Sequence, residues 1–322
     1  MRLALQSIPE TLQDSYARLL RGIPEHDRII AREALQWLSF SSRPLYLEEL
    51  NEAVILEEDM DVIDQDARLQ QINITLEICR GLVEVRDERV RLAHSSVKTF
   101  LTSEWCANSD VAFFALASDQ GDKVLLRKCL QYLSLQELRC GPCLLWEALE
   151  KRNDDFPLIR YAAFHWALHA RVVKLGAEEK SKIMQFLDTS TLPRGGNFGA
   201  WVQILVPDVD IQSIESTQPL YYAASFGLLD VVKAILEADM HINIDAGGGR
   251  RGSTPMFVAC WRGYFDVASV LHDAGARVDI EDPSTFYTVV DLLEHLKSSN
   301  ILAWELLNKI TASPGSVQDN AG

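Results

Sequence analysis

Two stretches near the carboxyl end of the sequence repeat each other. TQPLYYAASFGLLDVVKAILEADMHINI begins at Thr217 and STPMFVACWRGYFDVASVLHDAGARVDI begins at Ser253, an offset of 36 residues. Pro219 matches Pro255, Ala223 matches Ala259, Gly227 matches Gly263, Asp230 matches Asp266, Val231 matches Val267 and Ala238 matches Ala274. A period of this size signals stacked supersecondary units, none of which can bury its apolar face alone. Each matched position has a physical task. Proline opens a helix, where its missing N–H costs nothing. The small alanine lets two short helices approach. The glycine suits the left-handed residue that ends the first helix. A second helix then buries Val231, Val232, Ile235 and Leu236, or Val267, Val270 and Leu271, as one apolar stripe.

The tetrads Gln218-Pro219-Leu220-Tyr221 and Thr254-Pro255-Met256-Phe257 resemble the T-P-L-H signature of the ankyrin repeat. An aromatic residue replaces the usual His in both. TVVDLLEHLKSSNILAWELL, from Thr288, fits as a third unit at an offset of 34, without the proline and the glycine, as a worn carboxyl-terminal cap would. The last ten residues, SPGSVQDNAG, are expected to be a disordered tail. The extra length of the first unit falls in DAGGGRRGST, where three consecutive glycines predict a mobile finger tip and Arg250 and Arg251 stand out in an acidic chain. Two readings of these arginines stay open, a solvated loop and a partner contact.

The amino-terminal third is helical until its period changes. PETLQDSYARLL puts Leu12, Tyr16, Leu19 and Leu20 on one face, and PEHDRIIAREALQWLSF does the same with Ile30, Ala34, Trp37 and Leu38. LVEVRDERVRLAH then alternates about Asp87-Glu88, the pattern of a hairpin. Helices followed by a two-stranded hairpin predict a winged-helix domain. Between Leu45 and Gln70 lie nine carboxylates and one arginine. The helix expected at Gln70–Arg80 carries one further cation, too few to neutralise a phosphate backbone, so no direct nucleic-acid binding is expected.

IPETLQDSYARLL, ALQWLSFSSRPLYLEELNEAV and VRLAHSSVKTFL resemble the segment that follows the NACHT nucleotide-binding module in fungal NLR-like STAND proteins, which often continue through helices into ankyrin repeats. The resemblance spans about residues 5 to 175. It implies that His94 in LAHSS matches a histidine that contacts a nucleotide phosphate in such proteins. No G-x-x-x-x-G-K-[ST] occurs in this sequence, so no nucleotide role is carried over.

Cys140-Gly-Pro-Cys143 has thioredoxin-like spacing, and with His165 and His169 it makes C-x2-C-x21-H-x3-H. A redox site needs a strand before the pair and a helix after it, but VLLRKCLQYLSLQELR before it reads as helix. A zinc finger wants about 12 to 15 residues between its pairs. Both readings rank below a structural one. H-E-x-x-H, G-x-S-x-G and G-x-G-x-x-G motifs are absent.

The net charge of −15 over 322 residues disfavours nucleic acid and anionic membranes. No apolar run is long enough for a span, and the first residues lack a secretory apolar region. Six scattered cysteines fit a reduced, cytoplasmic or nuclear protein. The expected fold is mainly α, with a winged-helix domain at 1–106, a helical connector at 107–210, a short ankyrin α-solenoid at 211–312 and a tail at 313–322. The expected function is non-enzymatic: an adaptor or regulator that needs no cofactor or metal. It would bind protein partners through Phe226, Trp261, Arg262, Tyr264, Arg250 and Arg251. Aromatic residues and arginine dominate interface energetics. A DNA-binding transcription factor, which would make the chain a co-regulator, and a NACHT-type protein acting in trans are the two partner classes weighed.

Overall fold

The structure, a computed structural model, describes residues 10–57, 60–63, 68, 73–79, 81–238 and 242–312. The expected disordered tail, 313–322, lies outside them, as does part of the helix expected at 70–80. The chain divides into two compact units, Met1–Glu137 with Leu145–Val173, and Leu138–Leu144 with Lys174–Gly322. Residues 107–210, expected as a connector, are shared between the two. Eighteen helices and three short strands occur among the described residues. None of these helices is long and apolar enough to cross a membrane.

The first unit contains α1 (Glu10–Arg21), α2 (Arg28–Phe40), α3 (Leu47–Ala53), α4 (Ile74–Ile78), α5 (Ser95–Leu101), α6 (Glu104–Ala107), α7 (Gly121–Leu133), α8 (Trp146–Asp155) and α9 (Ile159–Val172). Its strands β1 (Leu45–Tyr46), β2 (Val83–Arg86) and β3 (Arg89–Leu92) form an antiparallel sheet of order β1-β3-β2. Helix, strand, two helices and a hairpin make the winged helix. The hairpin turns at Asp87 (φ 53°) and Glu88 (φ 59°), the double left-handed geometry of a tight I′ connection. Leu45 pairs with Val90, and both are fully buried. One residue on, Tyr46 pairs with Arg89, whose guanidinium lies 3.4 Å from the Tyr46 ring centre.

His94 sits where the hairpin hands over to α5. Its Nδ1 accepts from the Ser96 backbone N–H at 3.1 Å and so caps the helix. Further along, α7 and α9 pack face to face and are tied by a buried polar chain. His169 is 1% exposed, with Nδ1 2.7 Å from Asp122 Oδ1 and Nε2 3.0 Å from the Tyr161 hydroxyl. Tyr161 in turn accepts from the Ser42 N–H at 3.0 Å and packs edge-on against Trp37. His169 Nδ1–H donates to the carboxylate and Nε2 accepts from the phenol O–H, so every member is satisfied with the imidazole neutral.

Burial lowers the His169 pKa despite the pull of Asp122, and burial lowers that of His165 from 6.5 to about 4. Both groups bind a proton more readily in the unfolded chain. Their contribution to stability is therefore intact above pH 6.5 and is lost as pH falls towards 4. Urea midpoints followed by Trp fluorescence should drop between pH 7 and pH 4.5, and His165→Asn should reduce the slope in that window. An unchanged slope would contradict the assignment.

The second unit contains α10 (Ala177–Phe186), α11 (Gly196–Leu205), α12 (Ile211–Ser216), α13 (Pro219–Ser225), α14 (Leu229–Ala238), α15 (Pro255–Trp261), α16 (Phe265–Asp273), α17 (Val289–Leu296) and α18 (Ile301–Ala312). Helix α13 packs on α15 and α15 on α17, while α10, α14, α16 and α18 contact one another in sequence. The result is two rows, an inner row extended by α11 through its aromatic contacts and an outer row. EKSKIMQFL lies almost wholly in α10 of this unit, whereas YAAFHWALHARV lies in α9 of the other.

A candidate protein-binding groove on the repeats

The two clear repeats close alike. Gly227 (φ 68°) and Gly263 (φ 82°) end α13 and α15 in the left-handed conformation. The following N–H then reaches back, Leu228 to the Ala223 carbonyl at 2.9 Å and Tyr264 to the Ala259 carbonyl at 2.8 Å. Thr254 Oγ1 caps α15 by accepting from the Phe257 N–H at 3.2 Å. These closures fix the directions of the residues just before each glycine.

Phe226 is half-buried, 5.9 Å from the Trp201 ring, and the Arg262 guanidinium lies 5.9 Å over it. Trp261 is 52% exposed and stacks on Phe257 at 6.2 Å. The structure thus brings Phe226 and Arg262 together and leaves Trp261 open to solvent. Tyr264 has a different setting. Its ring lies flat against Gly227 of the preceding repeat, so close that a Cβ there would sit 2.7 Å away. Most of its contact serves packing between repeats.

The finger of the first repeat is pinned. Gly248 N–H bonds the Ser253 carbonyl at 3.0 Å. A Cβ on Gly248 would meet the Tyr221 ring at 2.4 Å, and one on Gly249 the Tyr221 hydroxyl at 2.5 Å. Three glycines predict mobility, but here Gly248 and Gly249 allow close approach to Tyr221, the aromatic that stands where ankyrin repeats carry histidine, and Gly247 allows close approach to the Gly252 carbonyl. Arg250 pairs with Asp208 at 2.5 Å over an open polar cleft of about 560 Å³, lined also by Asp210, Ser213 and Thr217. Burial raises the Tyr221 pKa, and Arg262 and Arg251 pull it back. Burial also raises that of Tyr222, where Arg250 and Arg262 pull it back. The finger arginines and the helix-end arginine therefore act on the same pair of tyrosines.

Sequence reasoning missed Phe286. It stands two residues before Thr288, as Gly252 stands two before Thr254, and both have positive φ, 60° and 71°. Phe286 is 74% exposed on the second finger. A bulky residue on the glycine position of a repeat was the available signal.

The cysteine motif is a structural loop. Cys140 and Cys143 lie in irregular chain after a 3-10 turn, not at a helix N-terminus. Gly141 (φ 79°) is pressed against Arg194, where a Cβ would meet the Arg194 Cβ at 2.9 Å. Buried Gln203 clasps the Cys143 backbone, accepting from its N–H at 2.7 Å and donating to its carbonyl at 2.8 Å. Both ring nitrogens of His169 are engaged within the first unit, so the C-x2-C-x21-H-x3-H reading loses a ligand. Among the described residues no three His, Cys, Asp or Glu side chains are grouped to hold a metal.

Comparison with known proteins agrees with both modules. Residues 20–116 match the family model of the winged helix domain of GPI inositol-deacylase, and residues 194–282 match that of ankyrin repeats in three copies. The chain thus carries a winged helix of the GPI inositol-deacylase type followed by ankyrin repeats. Neither domain class is catalytic, and ankyrin repeats serve protein interaction. The match begins at residue 194, so α11 and α12 fall within it although they lack the proline and glycine marks. The chain is also similar to azaphilone pigments biosynthesis cluster protein L of Monascus ruber, 27% identical over 303 residues. That alignment covers 86% of this chain, which spans only 62% of the relative's length. No solved structure matches.

Proposed function

We propose that this chain is a non-catalytic adaptor or regulator that binds a protein partner in the groove formed by Phe226, Trp261, Arg262 and the Arg250–Arg251 finger. The observation that carries the reading is Trp261, a large aromatic left 52% exposed on the inner row and held in place by Phe257. Tryptophan and arginine on such a surface are the residue types that dominate interface energetics. The finer reading is a regulator of a biosynthetic gene cluster, in the cytoplasm or nucleus, docking on a DNA-binding factor and not on DNA. The relative named for a pigment biosynthesis cluster supports the first part, and the acidic charge of the chain supports the last.

Trp261→Ala with Arg262→Ala tests the groove. Both side chains are exposed, so the thermal unfolding profile should stay within a few degrees of the parent. Recovery of cross-linked partners should fall at least about tenfold, the loss expected when a hot-spot pair is truncated. Unchanged recovery would place function elsewhere. The winged-helix match supports a second reading, assembly in trans with a separate NACHT-containing chain. Co-purification with such a chain, retained in the groove variant, would favour it.

A further inference from the structure

We propose that the groove recognises an acidic, extended segment of its partner, gripped by Arg251 and Arg262 and by the exposed rings of Trp261 and Phe286. This rests on the interaction reading above and names the chemistry of the bound segment. Helices α11, α13 and α15 of the inner row carry no charged side chain. The end of α15 and the first finger add Arg262, Arg250 and Arg251, in a chain with 31 basic and 46 acidic residues, while the acids of the row lie on α17, at Asp291 and Glu294. Arg250 is matched by Asp208. Among the described residues Arg251 and Arg262 have no acidic partner within ion-pair distance.

Two acids of the second finger, Asp282 and Asp279, are already engaged. Asp282 is 2% exposed, with one oxygen 2.5 Å from Ser253 Oγ and the other bonded to Ser284 and Thr285. Asp279 faces Arg277. Unmatched cations over a neutral apolar floor favour a carboxylate-bearing ligand and steer its approach.

The two fingers are braced side by side. Asp282 of the second bonds Ser253 of the first, and Pro283 lies 3.8 Å from where a Cβ on Gly252 would be. The cation at 251 and the ring at 286 therefore stand on adjoining tips. An aromatic residue held at positive φ, where the preceding repeat has glycine, is a local strain with no packing return at 74% exposure. Such outliers concentrate at binding surfaces. Cations and rings spread over two finger tips and the end of α15 suit a strand-like ligand, not a compact one.

The test uses the full chain and fluorescein-labelled peptides of about 12 residues, which run roughly 40 Å when extended. Acidic, neutral and basic sets carry the same apolar residues. Acidic peptides should bind in fluorescence anisotropy and weaken about tenfold between low and high salt, as expected where exposed charges are screened. Arg251→Glu with Arg262→Glu should abolish that binding and transfer affinity to the basic set. Phe286→Gly should weaken the acidic peptides several-fold without loss of thermal stability. Equal binding of the three sets, no binding of any, tighter binding of a single-stranded oligonucleotide, or indifference to charge reversal would each overturn the proposal. If charge reversal has no effect while Trp261→Ala with Arg262→Ala still abolishes partner capture, the groove stands and its acidic chemistry falls.

Discussion

Replacing Gly227 by alanine is expected to unfold the repeat array under mild conditions, whereas the same change at Gly263 should be tolerated. Both residues have left-handed backbone, φ 68° and 82°, which costs an L-residue about 1–2 kcal/mol. The difference lies in the surroundings. A Cβ at 227 would stand 2.7–2.9 Å from the Tyr264 ring, while a Cβ at 263 meets nothing within 4 Å. Tyr264 cannot retreat easily, because its own N–H closes α15 on Ala259 and its position sets the start of α16. Overpacking of this kind adds about 1–3 kcal/mol. The expected loss is thus about 2–5 kcal/mol at 227 against about 1–2 kcal/mol at 263. Urea titrations of the two variants, followed by far-ultraviolet dichroism, measure the contrast. Equal midpoints would mean that the Tyr264 contact carries no weight.

Trp201→Ala is expected to cost about 3–5 kcal/mol, the usual range for deleting a buried aromatic. Trp201 is 1% exposed and meets four rings, Phe186 at 5.5 Å, Phe198 at 5.7 Å, Tyr222 at 5.1 Å and Phe226 at 5.9 Å. Phe186 belongs to α10 and Tyr222 to α13, so one indole joins the divergent helices to the first clear repeat. Repeat arrays gain their stability from such nearest-neighbour interfaces. Removing this one should separate the melting of α10–α11 from that of the remaining helices. It should also loosen Phe226, and with it the seat of Arg262, so peptide binding should weaken even where the array stays folded. A single unshifted transition would show that α11 is not coupled to α13 through this residue.

The repeats were legible because their marks are local. A proline at a first turn and a glycine at a helix end act over a few residues, and both recur at one offset. The hairpin about Asp87-Glu88 was legible for the same reason, since alternation needs only neighbours. Other features depend on residues far apart in the sequence. The spacing of His165 and His169 left a metal reading open, ranked below a structural one, and the partner that engages His169, Asp122, lies 47 positions earlier. The pair Cys140 and Cys143 reads as structural from its helical surroundings, but the residue that holds their loop, Gln203, lies 60 positions later and leaves no local sign. Tyr264 was read as a groove residue because aromatics near a repeat glycine often are, and only the packing against Gly227 shows its other task. Phe286 went unread because its exposure and left-handed backbone are set by the packing of the fingers and leave no local pattern in the sequence.

The route of the backbone has one further consequence. Residues 138–144 leave the first unit, take their place beside Arg194 and Gln203, and the chain then returns for 145–173 before leaving again. No single cut yields two complete halves. A cut that removed everything from residue 174 onward would leave residues 138–144, which belong with the repeats, behind.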